Sequence, residues 1–262
     1  SIEANKAADS YAWMIIFAVI AAIMVLIGLY HIRMLPSNQI PSTTKKTTSE
    51  VGRELVAVIA NFFTKKHIFY YICFIILYRL AEGFIMKIAP LFLRASREVG
   101  GLGLSLKEIG TLNGVFGSAA FVLGSLLAGI YVSKFGLKRT LFTLCCIFNL
   151  PFLAYTFLAV TQPTNVYLIG TCITMEYFGY GFGFVGLTLF MMQQIAPGKH
   201  QMSHYAFASG IMNLGVMLPG MVSGYFSDLL GYRNFFIYVL IATIPAFLIT
   251  YFIPFTYDDS KK

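Results

Sequence analysis

The sequence predicts an all-α, polytopic helical membrane protein of about seven transmembrane helices. Of 262 residues, 58% are hydrophobic and only 11% charged, against about 25% charged in a soluble domain. The uncharged runs reach about 20 residues or more, the length a helix needs to cross a bilayer core, whereas barrel strands read as alternating segments of about ten. Cations gather on alternate loops, as positive-inside ordering requires. A soluble domain and an outer-membrane barrel are thereby excluded. The +8 net charge reads as loop lysine and arginine, not as a nucleic-acid surface.

The first run, Tyr11 to Tyr30, follows a segment with Lys6 set against Glu3 and Asp9, unlike the positive flank of a signal peptide, and it has full span length. Ser1 stands where a start methionine is expected, so the natural start is expected to be missing or processed away. The connection from His31 to His67 opens with Pro36, Ser37 and Pro41 and a Ser/Thr/Lys stretch, which is linker composition. From Val51 to Lys66, Leu55, Ile59, Phe62 and Phe63 recur at helical spacing opposite Arg53, Glu54, Asn61, Lys65 and Lys66. That pattern predicts an amphipathic helix on the cytoplasmic leaflet, or one packed on the ends of other helices.

The second run, Ile68 to Leu93, carries Arg79, Glu82 and Lys87. The third, Ile109 to Val132, follows the loop Gly100-Gly101-Leu102-Gly103 and opens on Ser105 and Glu108 at capping-box spacing, so Glu108 reads as a cap in preference to a proton carrier. Gly110, Gly114, Gly117, Ser118, Gly124 and Gly129 line it with small residues that let helices approach in lipid. The fourth run is Thr140 to Val160, with Asn149 and Pro151 inside it. The fifth, Val166 to Ala196, holds Glu176 together with Gly170, Tyr177, Gly179, Tyr180, Gly181, Gly183 and Gly186. Those glycines fit either tight packing or local opening, and the tyrosines could stack on a sugar. The last two runs are Tyr205 to Ser227 and Asn234 to Phe255. Cys73, Cys145, Cys146 and Cys172 fall inside runs with no disulfide partner outside them and no metal spacing, and read as packing residues. No cofactor is expected.

With the first run entering from outside, Arg33, Lys45, Lys46, Arg53, Lys65, Lys66, Lys134, Lys138, Arg139, Lys199, Lys261 and Lys262 lie inside, and Lys6, Arg94, Arg97, Lys107 and Arg233 outside. The carboxyl end is therefore expected to be cytoplasmic.

Two loops share a pattern. Gly129, Gly136 and Lys138 in one, and Gly224, Gly231 and Arg233 in the other, keep the same spacing three helices apart, which reads as an internal repeat of three helices. The stretch Gly129 to Arg139, with Ser133, Lys134, Gly136, Lys138 and Arg139, resembles the loop motif G-x-x-x-D-[RK]-x-G-[RK]-[RK] of the major facilitator superfamily. It departs twice: Ser133 replaces the aspartate, and Leu137 is inserted before the final cations. The resemblance implies helices six to twelve of a twelve-helix transporter. Residues 1-32 would be the last helix of an amino-terminal half, 33-66 the cytoplasmic central loop, and 67-262 the carboxyl-terminal six-helix half. Three stretches, Tyr78 to Phe84, Met175 to Gly181 and Ser203 to Gly220, resemble the muropeptide permease (AmpG-like) branch.

A charge at the bilayer centre costs about 3 kcal/mol or more and marks a cavity or a partner. At about 1.5 Å per residue, Arg79 lies roughly 17 Å into the second run, Glu82 a turn further, and Glu176 roughly 15 Å into the fifth, all near mid-membrane. Arg79 and Glu82, three apart, can form a structural ion pair; alternatively Glu82 or Glu176 carries a proton, Glu82 being slightly favoured. Lys87, nearer the outer end, can snorkel. Asn113, Asn149 and Asn213 read as buried amides that glue helices or contact solute.

The resemblance implies proton-coupled import of a sugar-peptide or related anionic solute at a bacterial inner membrane. The expected partners are lipid, a small-molecule solute and the missing amino-terminal helices of the same transporter, with no nucleic acid. A sugar or acyl-CoA solute, or a complete seven-helix receptor or scaffold, is the alternative. An enzyme is disfavoured, because His31, His67, His200 and His204 all lie at or beyond the ends of the runs.

Overall fold

The computed structural model describes residues 2–34 and 47–257, which form two compact units, Ser1–Val51 and Gly52–Lys262. Pro36, Ser37, Pro41, Lys45, Lys46, Lys261 and Lys262, on which part of the linker and charge expectations rest, lie outside the described residues. In the first unit, α1 (Ile2–Met34) contains the 25-residue stretch Ser10–Met34, with a mean hydropathy of 2.8.

The amphipathic segment forms α2 (Thr48–Phe63). Of its apolar face, Phe62 alone is fully buried, edge-on to His204 and Phe207, while Leu55, Ile59 and Phe63 stand exposed. Its last turn is therefore docked on a helix end, and the rest offers an apolar face that suits a leaflet surface.

Six spans follow: α3 (Ile68–Arg94), α4 (Leu106–Phe135), α5 (Leu137–Thr161), α6 (Val166–Phe190), α7 (201–230) and α8 (232–251). Among the described residues, five stretches are long and apolar enough to cross a membrane, and one of these, Gln201–Tyr251, is α7 and α8 joined at Gly231. The remaining span, α6, has 25 residues and is diluted by Glu176 and its glycines. Seven spans result among the described residues, as the apolar runs predict. The boundaries differ in detail. The second run is not one continuous helix, since it breaks at Arg79 (φ −103°, ψ 5°). The fourth breaks between Asn149 and Phe152, where Pro151 cannot donate into the ladder. The fifth ends at Phe190 and closes in a π-helical turn, Met191–Ile195. As the sequence predicts, Ser105 and Glu108 cap α4 reciprocally, with Glu108 N donating to Ser105 Oγ at 3.2 Å and Ser105 N to Glu108 Oε2 at 2.8 Å.

Contacts at the helix ends fix the alternation of direction. At one end the Lys65 ammonium donates to the carbonyls of Ile195 and Pro197, 2.6 Å each. There too Gln194 accepts from the backbone of Thr256 and Tyr257 at 2.9 and 3.0 Å. At the other end Arg97 donates to the carbonyls of Gln162 and Pro163, and Gln162 to that of Gly100.

The helices approach most closely where side chains are absent. Gly124 of α4 lies against the backbone of Phe178 and Gly181 of α6 against that of Phe121, a reciprocal pair. Gly83 of α3 meets Pro219 and Val216 of α7, and Gly179, Gly183 and Gly186 of α6 meet α5. The α6 glycines are thus packing residues. The small-residue reading of α4 needs correction at Gly110, Gly114 and Gly129, where an added Cβ would meet nothing within 4 Å. Cys73 likewise is exposed and packs nothing inward, whereas Cys145 is buried. Leu137, the insertion in the loop motif, is fully buried at the start of α5. It anchors that helix in the core, whereas Ser133, Lys134, Lys138 and Arg139 of the same motif are exposed.

Candidate functional site

Buried apolar side chains divide into two clusters. One holds the first half of α3 and the second half of α6, and the other holds the second half of α3 and the first half of α6. Polar side chains fill the level between them, where two antiparallel helices place residues from the middle of each.

Arg79 occupies the break in α3. Its Nε donates to Glu82 Oε2 at 2.6 Å and its Nη2 to Glu82 Oε1 at 2.5 Å, a bidentate pair whose side chains are 6% and 7% exposed. The guanidinium carbon stands 5.4 Å from the Phe184 ring centroid. The ion pair anticipated from the spacing is therefore formed and almost fully withdrawn from solvent. A cavity of about 120 Å³ adjoins it, lined by Glu82, Asn113, Tyr155, Glu176, Tyr177 and Tyr180 among others. Five of the expected site residues thus line one cavity, and Arg79 is tied to it through Glu82.

Asn213 does not join them. The buried stripe of α7 runs His204, Ala208, Met212, Gly215, Pro219, Ser223 and Ser227, and Asn213, one position off that stripe, is exposed. Asn149 is buried but donates to Cys145 O of its own helix at 3.0 Å, so it does not bind helices together. Lys87 is exposed and runs along Gly220 of α7, outside the cavity lining. Tyr155 and Phe184 were not anticipated. A buried phenol, 4% exposed and stacked on Phe236 at 5.5 Å, was signalled only by its position one turn after Pro151.

A larger cavity, about 960 Å³, opens between the starts of α4 and α6. Several of its polar groups are engaged locally, Glu108 in the capping box, Thr171 Oγ1 on Tyr167 O and Thr174 Oγ1 on Gly170 O, while Lys107, Thr111 and Tyr167 complete its polar lining. The smaller cavity is the one that brings two carboxyl groups and a buried, unpartnered amide oxygen together. Among the described residues no cluster of His, Cys, Asp or Glu could hold a metal ion.

Apolar spans, repeated glycine turns and a charged stratum at mid-depth are features that recur in secondary transporters. Residues 6–198 match the family model of the Major Facilitator Superfamily, and the chain belongs to that family. It is accordingly a transporter-family chain and not an enzyme. It is 23% identical to the anhydromuropeptide permease of Escherichia coli (strain K12) over 209 residues, 80% of this chain and 41% of that protein. It is 25% identical to the putative transporter AmpG 1 of Rickettsia bellii over 238 residues, 89% of this chain and 56% of the relative. With the putative transporter AmpG 2 of Rickettsia prowazekii the identity is 27% over 204 residues, 76% and 47%. The chain thus spans between 41% and 56% of the length of these curated relatives.

Proposed function

We propose that this chain forms helices six to twelve of a proton-coupled importer of a sugar-peptide of the anhydromuropeptide class. It works by alternating access against a second six-helix half in a bacterial inner membrane, with the carboxyl end cytoplasmic. Residues 1-32, 33-66 and 67-262 would be the last helix of the first half, the central loop and the second half. The observation that carries this reading is the buried Arg79 and Glu82 pair beside Glu176, at the level where the two apolar clusters meet. Charges are kept at such depth where a solute or proton pathway uses them.

In this proposal Arg79 keeps its pair with Glu82 and meets an anionic group of the solute through Nη1, which Glu82 does not engage. Tyr177 and Tyr180 offer ring faces to the sugar, and a carboxylate of the cavity carries the proton. The glycine turn and exposed cations of Gly129 to Arg139 serve the rocking of one half on the other. The test is uptake of a radiolabelled anhydromuropeptide by the full-length transporter in proteoliposomes, with and without an inward proton gradient. Accumulation only with the gradient is expected. Equal uptake without it removes the coupling, and no uptake removes the solute class.

A further inference from the structure

Two carboxyl groups share the cavity, and they are not equivalent. Both oxygens of Glu82 are taken by Arg79. Glu176, half-buried in α6, has no hydrogen bond or ion pair among the described residues. Across the cavity, Asn113 sits in a π-helical turn of α4, Leu112–Gly117, the kind of local irregularity that recurs at functional sites. Its Oδ1 is buried and has no donor. Such an acceptor needs an O–H or N–H. A carboxylate offers none, a carboxylic acid offers one, and a cavity of about 120 Å³ has room for a bridging water between the two.

We propose that Glu176 is the proton-carrying carboxyl of this half, that Asn113 is the positioning residue that accepts from its protonated form, and that Arg79 and Glu82 remain a fixed, neutral pair. The step is a proton transfer only: a Glu176 carboxylate oxygen takes a proton from water on one side, its O–H donates to Asn113 Oδ1 directly or through one water, and the proton leaves to water on the other side. No other bond changes. The groups facing Glu176 are Glu82 from α3, held by Arg79, Asn113 from α4 and Tyr155 from α5, with Tyr177 and Tyr180 on its own helix. None of these is a free cation, so ionised Glu176 leaves one uncompensated negative charge and protonated Glu176 leaves none. A neutral cavity is the one that can close away from water cheaply. Protonating Glu82 instead would strand the Arg79 cation in the core.

The inference rests on the proton-coupled reading, and the experiment separates the two. In proteoliposomes of the full-length transporter, uptake of a radiolabelled anhydromuropeptide is driven by a proton gradient, and counterflow is measured without one. Wild-type uptake indifferent to the gradient defeats the coupled reading itself. With coupling present, Glu176→Gln should abolish accumulation while counterflow persists, and full accumulation by that variant would overturn the inference. Should Glu176→Gln fail to fold, Asn113→Leu decides. Losing the acceptor of the protonated form should shift the pH profile of uptake toward acid by about one unit, the worth of one neutral hydrogen bond. An unchanged profile, or a shift toward alkali as expected if the amide instead donates to an ionised Glu176, overturns the proposal.

Discussion

Gly136 and Gly231 hold nearly the same backbone conformation, φ 77° and ψ 149° against φ 69° and ψ 159°, at turns three helices apart. One joins α4 to α5 and the other α7 to α8, at opposite ends of the six-helix bundle. The repeated spacing of glycines and cations therefore has a geometric counterpart, in the arrangement expected of nested three-helix repeats of inverted topology.

That conformation is closed to side chains bearing a Cβ. Gly136→Ala and Gly231→Ala should each destabilise the fold by about 1 to 3 kcal/mol, read as a lower midpoint in a thermal melt of the detergent-solubilised protein. Gly224→Ala, where an added Cβ meets nothing within 4 Å, should melt within error of wild type or slightly higher, since alanine is the better helix former.

The buried Arg79 and Glu82 pair makes a second forecast. Removing either partner strands the other, at a cost of about 3 to 5 kcal/mol, so Arg79→Ala and Glu82→Ala should each melt early and the double change should recover most of the loss. Arg79→Lys should not substitute, because a lysine lacks the two-pronged geometry that engages both carboxylate oxygens. If Arg79 also holds the solute, the stable double variant should still bind a radiolabelled anhydromuropeptide about tenfold or more weakly, as expected for a lost charged hydrogen bond. Normal binding by the double variant would assign Arg79 to structure alone.

The reciprocal contact of Gly124 and Gly181 places backbone against backbone, with no side chain able to yield. Gly124→Val or Gly181→Val should push α4 and α6 apart and cost about 1 to 3 kcal/mol or more, as overpacking does. The same change at Gly114, which faces open space, should be tolerated. Size-exclusion chromatography after stepwise heating distinguishes the two groups.

Orientation can be read by thiol labelling. In a background with the exposed Cys73 replaced by alanine, cysteines at Lys66 and Lys199 should be protected from an impermeant reagent added outside intact cells, and one at Thr164 should react. All three positions are exposed, so burial cannot mimic protection. Labelling at Lys66 or Lys199 would reverse the topology.

The sequence alone determined what depends on one helix at a time. Apolar run length located seven spans, Ser105 and Glu108 at three-residue spacing specified a cap that forms as expected, and Arg79 and Glu82 one turn apart defined a pair that closes. These are local because helix geometry fixes which residues of one segment share a face. Which faces meet between segments was decided only by the tertiary structure, since it depends on helix rotation and crossing, and these are set where glycines such as Gly124, Gly181 and Gly83 let backbones touch. Periodicity could have moved Asn213 off the buried stripe of α7. Nothing in a linear reading could show that Arg79 takes both oxygens of Glu82 while Glu176 stays uncommitted in the same cavity as the unpaired Asn113 oxygen, because that inequality arises from four different helices meeting around one small cavity.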